Sequence, residues 1–266
     1  MEKTASLGGI IRDLGRIAVA FSGGVDSAFL LASAAKTLGP ENVLAVTAVS
    51  PVFPKREREE ARRLCASLSV RQKEIGIDIL GLDCFRNNPA DRCYHCKYAI
   101  MSAMKNAAAE EGFPVLIEGS NADDTGDFRP GMRALSELGI LSPLLEAGLG
   151  KEEIREKARE MGLPVWNKPS SACLASRIAC GEEITLEKLK KVELAEEYLR
   201  SLGMKQLRVR VHGELARIEA EKDGIGIVFE NREEIAKKLR SIGFRYVTLD
   251  LEGFRSGSMN QLGVRS

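Results

Sequence analysis

Strand-like runs and helix-like segments alternate along the first two thirds of the chain. The pattern predicts strands at residues 17–21, 43–49, 71–75 and 115–118. It predicts helices at residues 28–38, 55–68, 92–111 and 151–161. This alternation is typical of a doubly wound α/β fold, in which helices cover both faces of a parallel sheet. Ligands of such sheets bind beyond the carboxyl ends of the strands.

The pattern changes after residue 168. Residues 169–183 are rich in Ser, Ala, Cys and Gly and show no regular period. Beyond them, helices are predicted at 186–202 and 232–242, and strands at 206–211, 216–220 and 246–251. We therefore expect an α/β domain over residues 1–184 and a small C-terminal α+β domain over residues 185–266.

Composition narrows the class of protein. The 266 residues carry a formal net charge of +1, which gives no bulk electrostatic footprint for nucleic acid. No apolar run approaches the ~20 residues that a membrane span needs. Residues 1–9 lack the pattern of a secretory signal, so we expect a cytoplasmic protein without membrane contact. Its six cysteines then suggest metal, cluster or catalytic roles rather than a disulfide scaffold.

A glycine turn follows the first predicted strand and leads into a helix. Its residues are Ser22, Gly23, Gly24, Val25, Asp26 and Ser27. Two glycines permit a sharp turn, and the free N–H groups of the helix end then face an anion. Asp26 suits a Mg²⁺ or positioning role. The Walker and Rossmann glycine patterns are absent, and the motif resembles the PP-loop of ATP pyrophosphatases. The alternative is an ordinary strand–helix turn.

Two groups of cysteines are further candidates for a functional site. Cys93 and Cys96 stand three residues apart at the predicted start of a helix, where thiols ionise more readily. They could bind a metal or cluster, act as a redox pair, or be unrelated thiols. Cys173 lies among small residues, four positions before Arg177, which suggests a positioned reactive thiol. The alternative is a buried loop cysteine, and neighbouring Cys180 could share any role.

Two polar motifs are also candidates. Alternation places Arg208 and Arg210 on one face of a predicted strand, where they suit a phosphate or carboxylate unless that face is simply solvated. The motif E-G-S-N-A-D-D, which contains Gly119 and Asp123, ends the fourth predicted strand and should line the same crevice as the glycine turn. Its acids could hold Mg²⁺ or cap a turn.

Taken together, these motifs resemble one family along nearly the whole chain. The match comprises the PP-loop, R-C-Y-H-C-K at 92–97, E-G-S-N-x-D-D at 118–124, F-R-P-G at 128–131, N-K-P-S-S-A-C-L-A-S-R at 167–177 and R-V-R-V-H-G at 208–213. The chain resembles the LarE-type sulfur transferases of the HUP-like, adenine nucleotide alpha hydrolase superfamily. That resemblance implies a homo-oligomer that uses ATP and Mg²⁺.

The resemblance also implies a reaction. LarE-type enzymes adenylate a carboxylate of pyridinium-3,5-biscarboxylic acid mononucleotide and install sulfur, giving a thiocarboxylate for the nickel-pincer nucleotide of lactate racemase. Residues 22–27, Gly119 and Asp123 would then bind ATP, and Arg208 and Arg210 the phosphate of this small mononucleotide. Ser176 and Arg177 would orient the acyl adenylate near sulfur.

Two sulfur sources are compatible with the resemblance. In single-cysteine members, the residue matching Cys173 donates its sulfur and becomes dehydroalanine. Members with three cysteines, which match Cys93, Cys96 and Cys173, resemble thiolases whose [4Fe-4S] cluster carries exogenous sulfide or sulfur from another donor. We favour the cluster. Many family members carry Pro-Tyr-Gly after S-R-I, whereas this chain has Ala179, Cys180 and Gly181, so Cys180 could compete with Cys173.

Two other functional classes are compatible with parts of the sequence. One is a different PP-loop adenylating enzyme, which thiolates tRNA or forms an amide. The near-neutral net charge argues against tRNA, and no glutaminase region is fused to the chain. The other is a cluster-binding sensor that uses ATP as a conformational ligand and releases no pyrophosphate.

Overall fold

A computed structural model describes residues 2–126, 130–169, 172–255 and 258–259. By its internal contacts the chain divides into two compact units. The first comprises residues 1–79 and 91–171, and the second comprises residues 80–90 and 172–266. Residues 80–90 and 172–184 thus group with the C-terminal residues, and the domain boundary expected near Thr185 stays a prediction.

The first unit alternates strands and helices in the predicted order. Its strands are β1 (Ile17–Ala20), β2 (Val43–Val49), β3 (Arg71–Gly76) and β4 (Val115–Ile117). Its helices are α1 (Glu2–Leu14), α2 (Val25–Leu38), α3 (Lys55–Ser67), α5 (Arg92–Glu110), α6 (Pro130–Leu138), α7 (Pro143–Glu146) and α8 (Lys151–Glu160). A short helix of the second unit, α4 (Asp83–Arg86), lies between α3 and α5 in the sequence. No described helix combines the length and apolar character of a membrane span.

The four strands form one parallel sheet in the order β3-β2-β1-β4. Alternate residues of β1 enter two different cores: Ile17 and Val19 pack with α1, α2, α3 and α8, whereas Ala18 and Ala20 pack with α5 and α6. Helices therefore cover both faces, as the α/β alternation predicts. The predicted fold class, a parallel α/β sheet followed by a small α+β region, is confirmed.

The strand order reverses beside β1. The chain runs from β1 to β2 and β3 on one side and then returns to place β4 on the other side of β1. The loops that follow β1 and β4 therefore flank the switch point of the sheet, where α/β proteins bind ligands. The glycine turn and the E-G-S-N-A-D-D motif occupy these two loops.

The second unit is built on a mixed three-stranded sheet. Its helices are α4, α9 (Leu186–Ser201), α10 (Lys222–Glu230) and α11 (Arg232–Ile242), and its strands are β5 (Leu207–His212), β6 (Leu215–Ala220) and β7 (Tyr246–Leu249). Strand β5 pairs antiparallel with β6, and β6 pairs parallel with β7. Residues 80–90 pack here through Asn88, whose side-chain amide donates to Ala179 O at 2.6 Å.

Candidate active site

The glycine turn is tightly hydrogen-bonded within the first unit. Gly23 adopts a φ of +77°, a conformation that favours glycine. The Ser22 and Ser27 hydroxyl oxygens lie 3.1 Å apart, and Ser27 Oγ donates to Gly24 O at 3.1 Å. The first helical bond runs from Ala28 N to Gly24 O at 2.9 Å, so the N–H groups just before Ala28 have no helical acceptor. The turn thus presents N–H groups and two hydroxyls at the amino end of α2.

Two carboxylates meet the start of helix α8. Asp26 forms an ion pair with the Lys151 ammonium, and Asn121 Nδ2 donates to Asp26 Oδ1 at 3.4 Å. The backbone N–H of Lys151 donates to Asp123 Oδ2 at 2.7 Å. Lys151 therefore joins an acid from the first turn of α2 to an acid from the loop after β4. Carboxylate oxygens on flexible side chains are ligands that suit Mg²⁺, so the donor set fits this ion.

Gly119 brings the loop after β4 against the glycine turn. A Cβ built on Gly119 would lie 3.0 Å from Ser27 N and 3.2 Å from Ser27 Cα. Such contacts are tighter than nine in ten real Cβ contacts, so a side chain at this position would require the backbone at Ser27 to shift slightly. Gly119 therefore acts in the site by permitting close approach of two backbones.

A partly buried ion pair joins two of the sequence motifs. Lys97 of α5 donates to Glu118 Oε2 at 3.2 Å, and Ser120 N and Ser142 Oγ donate to Glu118 Oε1 at 2.9 and 2.6 Å. Burial alone would raise the pKa of Glu118, but the Lys97 charge and the hydrogen bonds from Ser142 and Ser120 hold it below its ordinary value. The R-C-Y-H-C-K helix is thus fixed to the end of β4.

Cys93 and Cys96 lie at the start of α5. Their three-residue spacing places them on neighbouring positions of one helix face. Cys93 is exposed, whereas Cys96 is half-buried against the core formed by α5 and the sheet. The pair of thiols fits a metal or cluster by its chemistry. Among the described residues, no group of three or more His, Cys, Asp or Glu side chains is arranged to hold a metal ion.

In the second unit, Cys173 begins a short helical turn, Leu174–Arg177. Its carbonyl oxygen accepts from Ser176 Oγ at 2.8 Å and from Arg177 Nη1 at 2.9 Å. Arg177 Nη1 also donates to Ala172 O at 2.7 Å. The Cys173 thiol is half-buried. Ser176 and Arg177 therefore hold the backbone on which Cys173 is carried.

A buried acid anchors Arg177. Arg177 Nε and Nη2 donate to Glu196 Oε1 and Oε2 at 2.8 and 3.0 Å, and both side chains are 1% exposed. Burial alone would raise the pKa of Glu196, but the charge and hydrogen bonds of Arg177 hold it below its ordinary value. This bidentate geometry fixes the guanidinium in one orientation.

Arg208 and Arg210 are buried, so the alternative of a solvated strand face is wrong. Arg210 Nε donates to Glu219 Oε2 at 3.0 Å, and its Nη1 donates to Ser176 O at 2.9 Å. Burial lowers the pKa of Arg208 to about 10, and the charge of Arg177 adds to this effect. The second unit thus brings Ser176, Arg177 and Arg210 into one hydrogen-bonded network, with Arg208 next to Arg210 on the same strand face.

Comparison with known proteins places this geometry in a family. The NAD synthase family pattern matches residues 12–89, which include the glycine turn. The chain is 41% identical to pyridinium-3,5-bisthiocarboxylic acid mononucleotide synthase of Lactiplantibacillus plantarum, over 97% of this chain and 94% of that protein. The chain belongs to the LarE family of sulfur transferases.

Two further relatives of this LarE-family chain are uncharacterised proteins. One, from Synechocystis sp., is 39% identical over 98% of each chain. The other, from Methanocaldococcus jannaschii, is 31% identical over 91% of each chain. As a LarE-family member with a PP-loop, the chain is an ATP-dependent enzyme that transfers sulfur, and its family uses ATP with Mg²⁺.

Some residues of the LarE-type motifs lie outside the part of the chain that the structure describes. Ser170 and Ser171, and residues 127–129 of the F-R-P-G motif and its approach, lie outside the described residues. Of the remaining cysteines, Cys180 is exposed, and its Sγ donates to Asn88 O at 3.5 Å. Cys65 lies in the core, where burial raises the pKa of its thiol to about 12.

Sequence reasoning missed Lys151 and Lys168 beside the glycine turn of the first unit, and Glu196 and Glu219 in the arginine network of the second unit. Glu196 had a signal, because it falls on the apolar face of α9 with Leu189, Val192 and Leu199, where a charge requires a partner. Lys168 had a weaker signal, since it stands in the N-K-P-S-S motif. Lys151 and Glu219 gave none, since a charge at a helix start or on a short strand is ordinary.

Proposed function

We propose that this enzyme adenylates a carboxylate of pyridinium-3,5-biscarboxylic acid mononucleotide and converts it to a thiocarboxylate for the nickel-pincer cofactor of lactate racemase. The observation that carries the proposal is the 41% identity, over 97% of the chain, to a synthase of the corresponding bisthiocarboxylic acid mononucleotide. The hydrogen-bonded glycine turn at the switch point of the sheet supports the ATP-dependent step.

The first step makes oxygen a good leaving group. A substrate carboxylate oxygen attacks the α-phosphorus of ATP, forming the acyl adenylate and breaking the bond to pyrophosphate. The N–H groups at the start of α2, with Ser22 and Ser27, would hold the departing pyrophosphate. Bound Mg²⁺ would neutralise charge on the phosphates, and Asp26 and Asp123 are its proposed ligands. Gly119 would bind nucleotide through its backbone.

The second step transfers sulfur. A sulfur nucleophile attacks the acyl carbon, the bond from that carbon to the AMP oxygen breaks, and AMP leaves. We propose Cys173 as the residue at which sulfur is delivered. Ser176 and Arg177 would orient the acyl adenylate, and their bonds to the Cys173 carbonyl support an additional positioning role for both.

Arg208 and Arg210 are the proposed site of the mononucleotide phosphate. A buried charged network supports this assignment. Its arginines are Arg177, Arg208 and Arg210, and its acids are Glu196 and Glu219. Burial and the charge of Arg177 both lower the pKa of Arg208, so an anion bound beside Arg208 would stabilise its charged form.

The sulfur source is proposed from the resemblance. Cys93, Cys96 and Cys173 are the proposed ligands of a [4Fe-4S] cluster, and such a cluster would carry sulfide to the acyl carbon. The two cysteines of α5 support this assignment, because their spacing suits joint ligation. The external donor would be sulfide or another sulfur compound, and the assembly a homo-oligomer.

The test is turnover by anaerobically prepared full-length protein. With the mononucleotide, Mg²⁺–ATP and sulfide, we expect AMP and pyrophosphate in equal amounts, and a product in which one oxygen is replaced by sulfur, detected by mass spectrometry. Production of ADP and phosphate would exclude the PP-loop mechanism. Binding of ATP with no pyrophosphate release in the presence of the substrate would indicate a sensor instead.

A further inference from the structure

Lys168 contacts the backbone of the glycine turn. In the first unit its ammonium donates to Gly23 O at 3.2 Å and to Glu60 Oε2 at 2.7 Å, and it forms an ion pair with Glu57. The side chain is 12% exposed. Glu57 and Glu60 both lie near the start of α3, which packs against the turn: a Cβ on Gly23 would lie 3.4 Å from Glu57 O.

The three contacts account for every donor of Lys168. A lysine ammonium has three N–H donors and no acceptor, and here Gly23 O, Glu57 and Glu60 accept them. Lys168 therefore has no donor left over for a phosphate oxygen. Its contact with the site is through the Gly23 carbonyl.

That contact determines where the next N–H group points. The C=O and N–H of a planar trans peptide project in opposite directions, so holding Gly23 O towards Lys168 aims Gly24 N–H away from it. Gly24 N–H donates to Ser22 Oγ at a long 3.4 Å. Such a weak bond leaves the N–H group available to a better acceptor.

We propose that Lys168 is a positioning residue of the PP-loop, which holds the Gly23–Gly24 peptide so that Gly24 N–H points at the pyrophosphate group of ATP. The inference rests on the proposed nucleotide-binding role of the turn. It assigns to the N-K-P-S-S motif a function in phosphate recognition that acts through the backbone. The charge of Lys168 also balances two carboxylates that would otherwise stand beside a polyanion site.

The test removes the Lys168 ammonium in a background that lacks its two carboxylate partners. Lys168→Met alone leaves the buried Glu57 without this partner, so the matched background is Glu57→Gln/Glu60→Gln, in which Lys168 keeps its bond to Gly23. In that background we compare Lys168, Lys168→Arg and Lys168→Met by calorimetric titration with inorganic pyrophosphate and with AMP. Thermal unfolding establishes that each variant is folded.

We expect Lys168→Met to weaken pyrophosphate binding about tenfold, the effect of one charge-assisted hydrogen bond, with AMP affinity unchanged. Lys168→Arg, which keeps a donor for Gly23 O, should recover part of the loss. Equal pyrophosphate affinity for Lys168 and Lys168→Met, or equal loss for AMP and pyrophosphate, would overturn the inference. If the unmodified chain bound neither pyrophosphate nor ATP, the proposed function itself would be wrong.

Discussion

Lys151 forms an ion pair with Asp26 through its side chain, while its backbone N–H donates to Asp123 at 2.7 Å. One residue at the start of α8 thus contacts an acid from the first turn of α2 and an acid from the loop after β4. The Lys151 ammonium places a positive charge beside Asp26, the carboxylate that we propose as a Mg²⁺ ligand. Without it, the site would present uncompensated negative charge to an anionic nucleotide.

Asp26→Ala tests the assignment of this carboxylate. We expect substrate-dependent pyrophosphate release to fall to background, because the variant lacks an oxygen ligand for the metal that neutralises the phosphates. The fold should remain intact, since Asp26 is partly exposed and not part of the core. Release is measured with a coupled pyrophosphate assay and the fold by circular dichroism.

Asp13→Ala is the matched control, because it removes an exposed carboxylate from α1. Its rate should equal that of the unmodified chain. Retention of a near-normal rate by Asp26→Ala would show that Asp26 has only a structural pairing with Lys151.

Gly119→Ala tests the close approach of two backbones. The added Cβ would lie 3.0 Å from Ser27 N, so the loop after β4 or the start of α2 must shift. We expect a loss of about 1 to 3 kcal/mol in the free energy of unfolding, typical of overpacking, together with weaker ATP binding. Urea denaturation and calorimetry measure the two effects.

Gly226→Ala provides the comparison for Gly119. Gly226 lies inside α10, is exposed, and has nothing within 4 Å of an added Cβ. Alanine there should stabilise the chain by about 1 kcal/mol through helix propensity, without changing ATP affinity. Unchanged ATP affinity in Gly119→Ala would mean that the loop adjusts without moving the PP-loop.

Strands β1, β2 and β4 could be predicted because their residues are apolar and mostly buried. All four residues of β1 are buried, and only a strand covered on both faces requires such a run. The start of α2 was placed too late: the helix begins at Val25 rather than at residue 28, so Asp26 and Ser27 belong to its first turn. A glycine turn gives no signal for where helical geometry begins.

Five of the described helices were missed, namely α1, α4, α6, α7 and α10. In α1 and α10, tertiary packing overrides local propensity. Helix α1 contains Gly8 and Gly9, which disfavour a helix, but Leu7 and Ile11 bury its inner face. Helix α10 contains Gly224, where an added Cβ would lie 3.1 Å from Ala220 Cβ. Close packing that requires glycine looks, in the sequence alone, like a break in the helix.

The partners of the site residues were beyond sequence reasoning. Alternation correctly put Arg208 and Arg210 on one strand face, but charge alone favoured a solvated face. The opposing acids Glu196 and Glu219 come from other elements, and only the pairing of β5 with β6 and the packing of α9 on β5 bring them to the arginines. Long-range charge compensation leaves no local pattern.

Arg177→Met tests the buried ion pair with Glu196. Removing the guanidinium leaves a buried carboxylate without its main partner, so we expect a loss of about 3 to 5 kcal/mol in the free energy of unfolding. The folded-state pKa of Glu196 is held below its ordinary value. Its stabilising contribution is therefore present above the unfolded pKa and is lost as the pH falls through the folded pKa.

The double variant Arg177→Met/Glu196→Gln should recover part of this loss, because the buried carboxylate is removed and only the partly exposed Arg200 loses an ion pair. Urea denaturation at neutral pH and at acid pH measures both effects. Equal stability of Arg177→Met and the unmodified chain at neutral pH would contradict the assigned pairing.

Arg210→Lys tests the proposed phosphate site of the mononucleotide. Lysine keeps the charge but not the fork that meets Glu219 and Ser176 O. We expect affinity for the mononucleotide to fall about tenfold, while ATP affinity is unchanged. Titration calorimetry measures both ligands, with the exposed Arg245→Lys as the control. Equal losses for both ligands would indicate a structural role for β5.

The two possible sources of sulfur can be distinguished, because each predicts a different chain mass after turnover and a different number of turnovers. If Cys173 is sacrificed, its thiolate attacks the acyl carbon and AMP leaves. Loss of a proton from its Cα then breaks the Cβ–S bond, and the thiocarboxylate departs. Each chain works once, ends as dehydroalanine and loses the mass of H₂S. If three cysteines hold a cluster, the mass of the chain is unchanged and turnover repeats with added sulfide.

We expect the cluster. Cys93→Ser, Cys96→Ser and Cys173→Ser should each lower the iron content of anaerobically prepared protein, because each removes a thiolate ligand. Cys84→Ser, at an exposed cysteine of α4, is the control and should retain iron. Iron analysis and the visible spectrum are combined with intact mass after turnover. A colourless, iron-free protein that loses mass only at Cys173 would establish the sacrificial chemistry and leave Cys93 and Cys96 without a role in sulfur transfer.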